Sequence, residues 1–194
     1  MEQLSKNQNK LMSAQNFLQN YLKSYNSLIN DSAVIDELIK IRTLFQNASK
    51  EGKKVILAGN GGSAAMASHV AVDITKNAGI RAMTFNEYDL ITTLANDYGY
   101  ENWISKGIEL YYDPGDIVVI ISASGKSENA VKAAEKAKEL GLKTITFSGF
   151  NKDNPLKKVG DINLWVDAQI YNIVEMTHHI WLLAIVDMII SENN

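Results

Sequence analysis

Apolar positions in the first fifty residues recur at helical spacing. Leu4, Leu11, Phe17, Leu18, Tyr21, Leu22 and Tyr25 predict a helix over 3–27, whose polar side would face water or a partner. A second helix is predicted from about Ser32 to Lys50, with Asp31 or Ser32 as N-cap and Gly52 as its stop. From residue 55 the pattern changes to short apolar runs alternating with helical stretches. Val55–Ala58, Ala82–Phe85, Ile117–Ile121, Lys143–Phe147 and Ile162–Val166 read as strands. Between and after them, helices are predicted over 63–76, 88–95, 101–111, 127–140 and 171–191. Strands of this length alternating with helices imply βαβ units, hence a parallel sheet covered by helices on both faces. No repeat or linker interrupts the pattern. The expectation is one domain over 1–194, with 1–52 as an N-terminal helical extension and 53–194 as the α/β core.

Composition narrows the function classes. Apolar residues make up 46% of the chain and charged residues 21%, which is ordinary globular usage. Net charge is −3 and the basic residues form no dense run, so no nucleic-acid partner is expected. The absence of cysteine excludes disulfides, thiolate metal sites and a thiol nucleophile. The polar N-terminal stretch lacks a signal-peptide pattern, and the apolar run Ile180–Val186 is short for a membrane span. A cytoplasmic protein with no membrane partner is expected.

Two turns carry the chemistry. Gly59-Asn60-Gly61-Gly62-Ser63 joins a strand to a helix, with glycines that let backbone N–H groups approach an anion at the helix N-terminus. Ala64 stands where a dinucleotide fingerprint needs its third glycine, and no GK[ST] follows, so neither nucleotide loop is present. Ser122-Ala123-Ser124-Gly125-Lys126-Ser127-Glu128-Asn129 follows the strand Ile117–Ile121 with three hydroxyls in six residues. A plain strand-to-helix turn, or Ser127 serving only as an N-cap, is the simpler alternative at each place. Three glycines in one turn and the spare hydroxyls of Ser122 and Ser124 in the other exceed what turns need. Ligands bind beyond the carboxyl ends of strands in open parallel sheets, so the two loops are expected to converge on one phosphate.

The stretches GNGGSAAMASHVAVD and ISASGKSENAVKAA, with NDYGYE at 96–101, resemble the sugar-isomerase (SIS) family over nearly the whole chain. Within it they are similar to the phosphoheptose isomerases. The resemblance implies a three-layer, flavodoxin-like sandwich with a five-stranded parallel sheet. It also implies a homotetramer with sites at subunit interfaces, and aldose–ketose isomerisation through an enediol(ate) acting on a seven-carbon sugar phosphate. By the match, Ser63, Ser122, Ser124 and Ser127 would hold the phosphate. Gly61, Gly62 and Asn129 complete the loops, and Asn60 and Asp97 would face the sugar.

The departures lie in the catalytic positions. Where the family has a His and, four residues on, a Glu base, this chain has His69 and Asp73, on one helical face. Where the last helix of the family carries a Gln and then a His, this chain has Glu175 and Leu183. Asp73 is the expected base, and His179, one turn before Leu183, the expected replacement acid; His178 and His179 as a structural pair is the alternative. Glu175 is expected to contact substrate. His69, Asp73, Glu175 and His179 together would make a two-His, two-carboxylate zinc set if their helices meet. The alternative function is a non-catalytic phosphosugar-binding or protein-interaction member, of the DnaA initiator-associating type.

Overall fold

A computed structural model describes the backbone of residues 2–193 and side chains over 13–192. The side chains of Leu4 and Leu11, assigned above to the first helix, lie outside the described residues. In chain order the elements are α1 (Glu2–Ile29), α2 (Ser32–Lys50), β1 (Val55–Gly59), α3 (Gly62–Lys76), β2 (Ala82–Met83) and α4 (Tyr88–Tyr98). There follow α5 (Trp103–Tyr111), β3 (Ile117–Ile121), α6 (Glu128–Glu139), β4 (Lys143–Gly149), β5 (Ile162–Val166) and α7 (Tyr171–Asn193). One 3₁₀ turn, Leu156–Lys158, was not expected from the pattern.

The five strands form one all-parallel sheet in the order β2-β1-β3-β4-β5. Alternating side chains divide the core into two layers. Val55, Leu57, Val119 and Ile121 face α2, α3 and α7, where Ile41, Phe45, Val70, Ile74, Ile185 and Ile189 are buried. Ile56, Ala58, Val118 and Ile120 face α4, α5 and α6, where Leu94, Ile104, Ile108 and Ala133 are buried. A sheet buried on both faces explains why its strands read as continuous apolar runs.

Local chemistry fixes several boundaries. Asp31 caps α2 by accepting the Ala33 N–H at 2.9 Å. β2 is two residues long, shorter than expected, and Phe85 leaves the strand to be buried against α5. The turn before β3 is closed by Asp116, fully buried, which accepts N–H groups from Lys54 (2.9 Å) and Asp113 (2.7 Å) and pairs with the Lys54 ammonium at 2.6 Å. That carboxylate ties the starts of β1 and β3 together.

Helix α7 is more apolar as a whole than the run Ile180–Val186 alone suggests. Over Tyr171–Glu192 its mean hydropathy of 1.6 suffices, by length and composition, for a membrane span. Half of that window is buried inside the fold, where Val174, Leu182, Ile185 and Ile189 pack on the sheet and α2. Its His178 is wholly buried; Nε2–H donates to the Ser148 carbonyl at 3.0 Å, and burial pushes the imidazole down to about 4. On α1, by contrast, Phe17, Leu18 and Leu22 are exposed.

Two stability predictions follow from these buried groups. Asp116→Ala strands two N–H groups and an ammonium and should lower the unfolding free energy in urea by about 3 kcal/mol. His178 binds its proton less well folded than unfolded, so its contribution is full above the ordinary 6.5 and is lost as pH falls from there towards 4. In thermal melts the wild type should lose up to about 3 kcal/mol over that interval from this group. His178→Gln, which keeps a donor for Ser148, should show a correspondingly shallower decline.

Candidate active site

The site is built where β1 and β3 lie side by side. Gly59 pairs with Ile121 in the sheet register, so the two loops leave adjacent strands at the same level, about 4.8 Å apart. The strand order reverses direction at this pair, which leaves a crevice between diverging connections. Helix α3 turns back on one face of the sheet and α6 on the other. A cavity of about 220 Å³ occupies the crevice, lined by both loops together with Tyr171 and Glu175 from α7.

The expected convergence is therefore present. Asn60, Gly61, Gly62 and Ser63 line the cavity from one side, and Ser122, Ser124 and Ser127 from the other. Two helix N-termini meet there, α3 beginning at Gly62 and α6 at Glu128. Each presents partial positive charge and unfilled N–H groups to the same space. Ser127 occupies the N-cap position of α6, but its hydroxyl makes no capping bond and lies 3.4 Å from Ser122 Oγ. The capping alternative thus does not account for it.

Glycine is required at particular points. Gly59 packs so tightly that a Cβ would stand 2.7 Å from the Ile121 carbonyl oxygen. Gly61 takes φ +52° to launch α3. Gly125 takes φ +63°, and a Cβ there would collide with the side chain of Asn154. That buried amide donates to Ser148 Oγ (3.0 Å) and accepts the Lys157 N–H (2.9 Å), so it has no freedom to move.

Asn60 and Asn129 form a reciprocal amide pair across the two loops, at 2.8 and 3.0 Å. Asn129 is buried, and the pair fixes the Asn60 side chain at the mouth of the cavity. Tyr100 donates its hydroxyl to Asn60 Oδ1 at 3.1 Å, bringing the NDYGYE segment to the site. Tyr100 and Tyr171 were missed in the sequence; Tyr100 sat inside a segment already singled out, whereas nothing local marked Tyr171. Asp97 is exposed on α4, bonded by its neighbour Asn96 at 2.9 Å, and does not line the cavity.

The remaining predicted residues divide into two places. Glu175 sits in the cavity wall, and burial raises its carboxyl above the usual range. His69, Asp73 and His179 gather outside the cavity, further along α3 and α7. His69 Nδ1 lies 3.0 Å from His179 Nε2, and His69 Nε2 lies 3.4 Å from Asp73 Oδ2. Asp73 also accepts from Asn77 at 3.1 Å. Burial, then the neighbouring His69, lowers the His179 imidazole.

This arrangement does not assemble the four-residue zinc set. Asp73 and His179 stand on opposite nitrogens of one imidazole, so no single point is shared by all three, and Glu175 belongs to the cavity. Among the described residues, no group of three or more His, Asp or Glu side chains is placed to hold a metal ion. Leu183, where a histidine was looked for, is half-buried against the core.

The sequence profile described as the SIS domain matches residues 17–149. This chain belongs to the SIS domain family. A phosphoheptose isomerase of Clostridium acetobutylicum is 36% identical over 145 residues, spanning 69% of this chain and 74% of that one. A phosphoheptose isomerase of Buchnera aphidicola is 32% identical over 185 residues, 93% of this chain and 92% of the relative. The chain therefore sits with the phosphoheptose isomerases of the family. The structure of a phosphoheptose isomerase from Francisella tularensis superposes with a TM-score of 0.82 at 23% identity, covering 90% of this chain and 97% of that one. That likeness is one of fold.

The loop geometry predicts the outcome of a single substitution. Gly125→Ala forces a left-handed backbone on alanine, at about 1–2 kcal/mol, and pushes on Asn154. Urea unfolding should show at least that loss. Calorimetry should show weaker phosphosugar binding, because Ser124 and Ser127 flank the displaced residue.

Proposed function

We propose that this chain is a phosphosugar isomerase of the phosphoheptose type, interconverting sedoheptulose 7-phosphate and the corresponding aldose phosphate. The observation that carries the reading is the shared cavity. Four serines, the glycine loop and two helix N-termini surround it, and relatives across nine-tenths of the chain are phosphoheptose isomerases. The serine loop and the N-terminus of α6 supply donors for the phosphate. Asn60, held by Asn129 and Tyr100, presents polar atoms to the sugar hydroxyls. Donors fixed before the ligand arrives need little reorganisation, so binding energy is available to position the reacting carbons.

A single domain over 1–194 is supported by one continuous sheet. A homo-oligomer, a tetramer with sites near subunit interfaces, is supported by exposed Phe17, Leu18 and Leu22 on α1 and by Met176 and Ile180 on α7. An intracellular glycan precursor pathway in the cytoplasm fits a sugar phosphate substrate, and neither nucleic acid nor membrane is assigned as partner. No step is assigned to zinc. A non-catalytic phosphosugar-binding protein is favoured by one observation, the apolar Leu183 where the family pattern places a histidine.

Turnover decides between these readings. Sedoheptulose 7-phosphate incubated with the protein in heavy water should give the aldose phosphate and deuterium at the reacting carbons by NMR. Binding without either product or exchange would leave the non-catalytic reading. Ser124→Ala should weaken phosphosugar binding by about tenfold to a hundredfold in calorimetry, the effect of one lost charge-assisted hydrogen bond.

A further inference from the structure

We propose that the Tyr171 ring is a sugar-recognition surface of this site, packing against the carbon chain of the ligand while the serine loop holds its phosphate; this rests on the phosphosugar reading above. Tyr171 is the one aromatic side chain lining the cavity among the described residues. It opens α7 and stands one turn before Glu175, so both enter the cavity from the same wall. The remaining lining is mostly glycines, serines and the Asn60 amide, which offer donors but little apolar area. A sugar phosphate has two kinds of surface, an anionic ester at one end and carbon-bound hydrogens between the hydroxyls along the rest. An aromatic ring suits the second, since it presents broad apolar area while fixing only two side-chain torsions.

The ring is supported before any ligand arrives. Tyr171 is 57% exposed, and a side chain so open would ordinarily sample several rotamers. Here its ring packs on Phe150, with centroids 4.7 Å apart. Phe150 takes φ +56°, the one left-handed residue other than glycine among the described residues. Bulky side chains are rare in that region, because the Cβ crowds the neighbouring carbonyl, whereas glycine enters it without strain. The backbone at this turn therefore favours glycine, and what phenylalanine adds is its ring, half-buried at the edge of the core beneath Tyr171.

The same turn ties the ring to the phosphate loop. Gly149 at the end of β4 donates its N–H to the Ala123 carbonyl at 2.8 Å, inside the serine loop. The next residue, Phe150, donates its N–H to the Ala168 carbonyl at 3.1 Å, in the segment leading into α7. A Cβ on Gly149 would stand 2.6 Å from Val174 Cγ1, so glycine also lets α7 close on this junction. Two backbone bonds thus set the spacing between the serine loop and Tyr171. An ester whose carbon chain spans that spacing gains the ring contact without paying to order the ring, and inorganic phosphate gains nothing from it.

The test measures two probes on each protein by calorimetry: sedoheptulose 7-phosphate directly, and inorganic phosphate by competition. Tyr171→Ala should weaken the phosphosugar about tenfold and leave inorganic phosphate within about twofold. Tyr171→Phe, which keeps the ring, should bind the phosphosugar within about threefold of wild type. Phe150→Gly, which suits the left-handed backbone, should weaken the phosphosugar in the same selective way, and Phe150→Tyr should restore it. Phosphosugar affinity unchanged in Tyr171→Ala overturns the inference, and so does an equal loss of both probes, which marks a merely structural role. A loss in Tyr171→Phe as large as in Tyr171→Ala overturns it as well. Each of these leaves the phosphosugar reading intact, because the wild type still prefers the sugar ester. A wild type that binds sedoheptulose 7-phosphate no better than inorganic phosphate overturns both together.

Discussion

Everything at the site depends on the pairing of β1 with β3. Parallel ladders hold their register along the whole strand, so Gly59 opposite Ile121 places the next residues of both chains at one edge. Those residues are the glycine loop, from Asn60, and the serine loop, from Ser122, which are far apart in sequence. The buried Asp116 secures the same pair from the opposite end, accepting N–H groups at the starts of β1 and β3. A slip of one residue would turn Leu57 and Val119 into the wrong core layer. Two buried faces therefore protect the register, and the register protects the site.

The crevice has an electrostatic direction. On the serine side, hydroxyls and the backbone N–H groups in the first turn of α6 offer donors and partial positive charge. On the α7 side, Glu175 offers an acid whose ionised form is disfavoured by burial. An elongated phosphorylated ligand meets a gradient that only one of its two orientations satisfies. The reciprocal Asn60–Asn129 pair adds rigidity between these poles, since each amide supplies the other's donor and acceptor.

Much of this was legible in the chain. The spans Ser32–Lys50, Ile117–Ile121 and Ile162–Val166 agree with the observed elements end to end, because caps and β-branched runs mark them clearly. The two loops were legible because strand, small residues and helix follow one another without interruption. β2 was overread, since Phe85 is apolar for α5 and not for the sheet. Helix α7 was legible as a helix, and its buried Val174, Leu182, Ile185 and Ile189 account for its being apolar on average. The grouping of His69 with His179, and the separation of Asp73 from Glu175, depends on how α3 and α7 cross. Periodicity within a helix specifies a face but not the height at which two faces meet.

Unfilled groups at the crevice link the fold to its use. Gly61 and Ser127 stand at the N-cap positions of α3 and α6, and neither makes a side-chain capping bond. A capping side chain typically contributes about 1 kcal/mol, which α6 forgoes at the end that lines the cavity, whereas glycine at the N-cap of α3 costs far less. Asp31 caps α2, far from the site, while α4 and α5 likewise lack a side-chain cap. Anionic oxygens placed in the crevice would fill the vacant capping positions of both helices at once. Ligand binding would then complete local structure that the chain leaves open, with those N–H groups as contacts for an anionic oxygen.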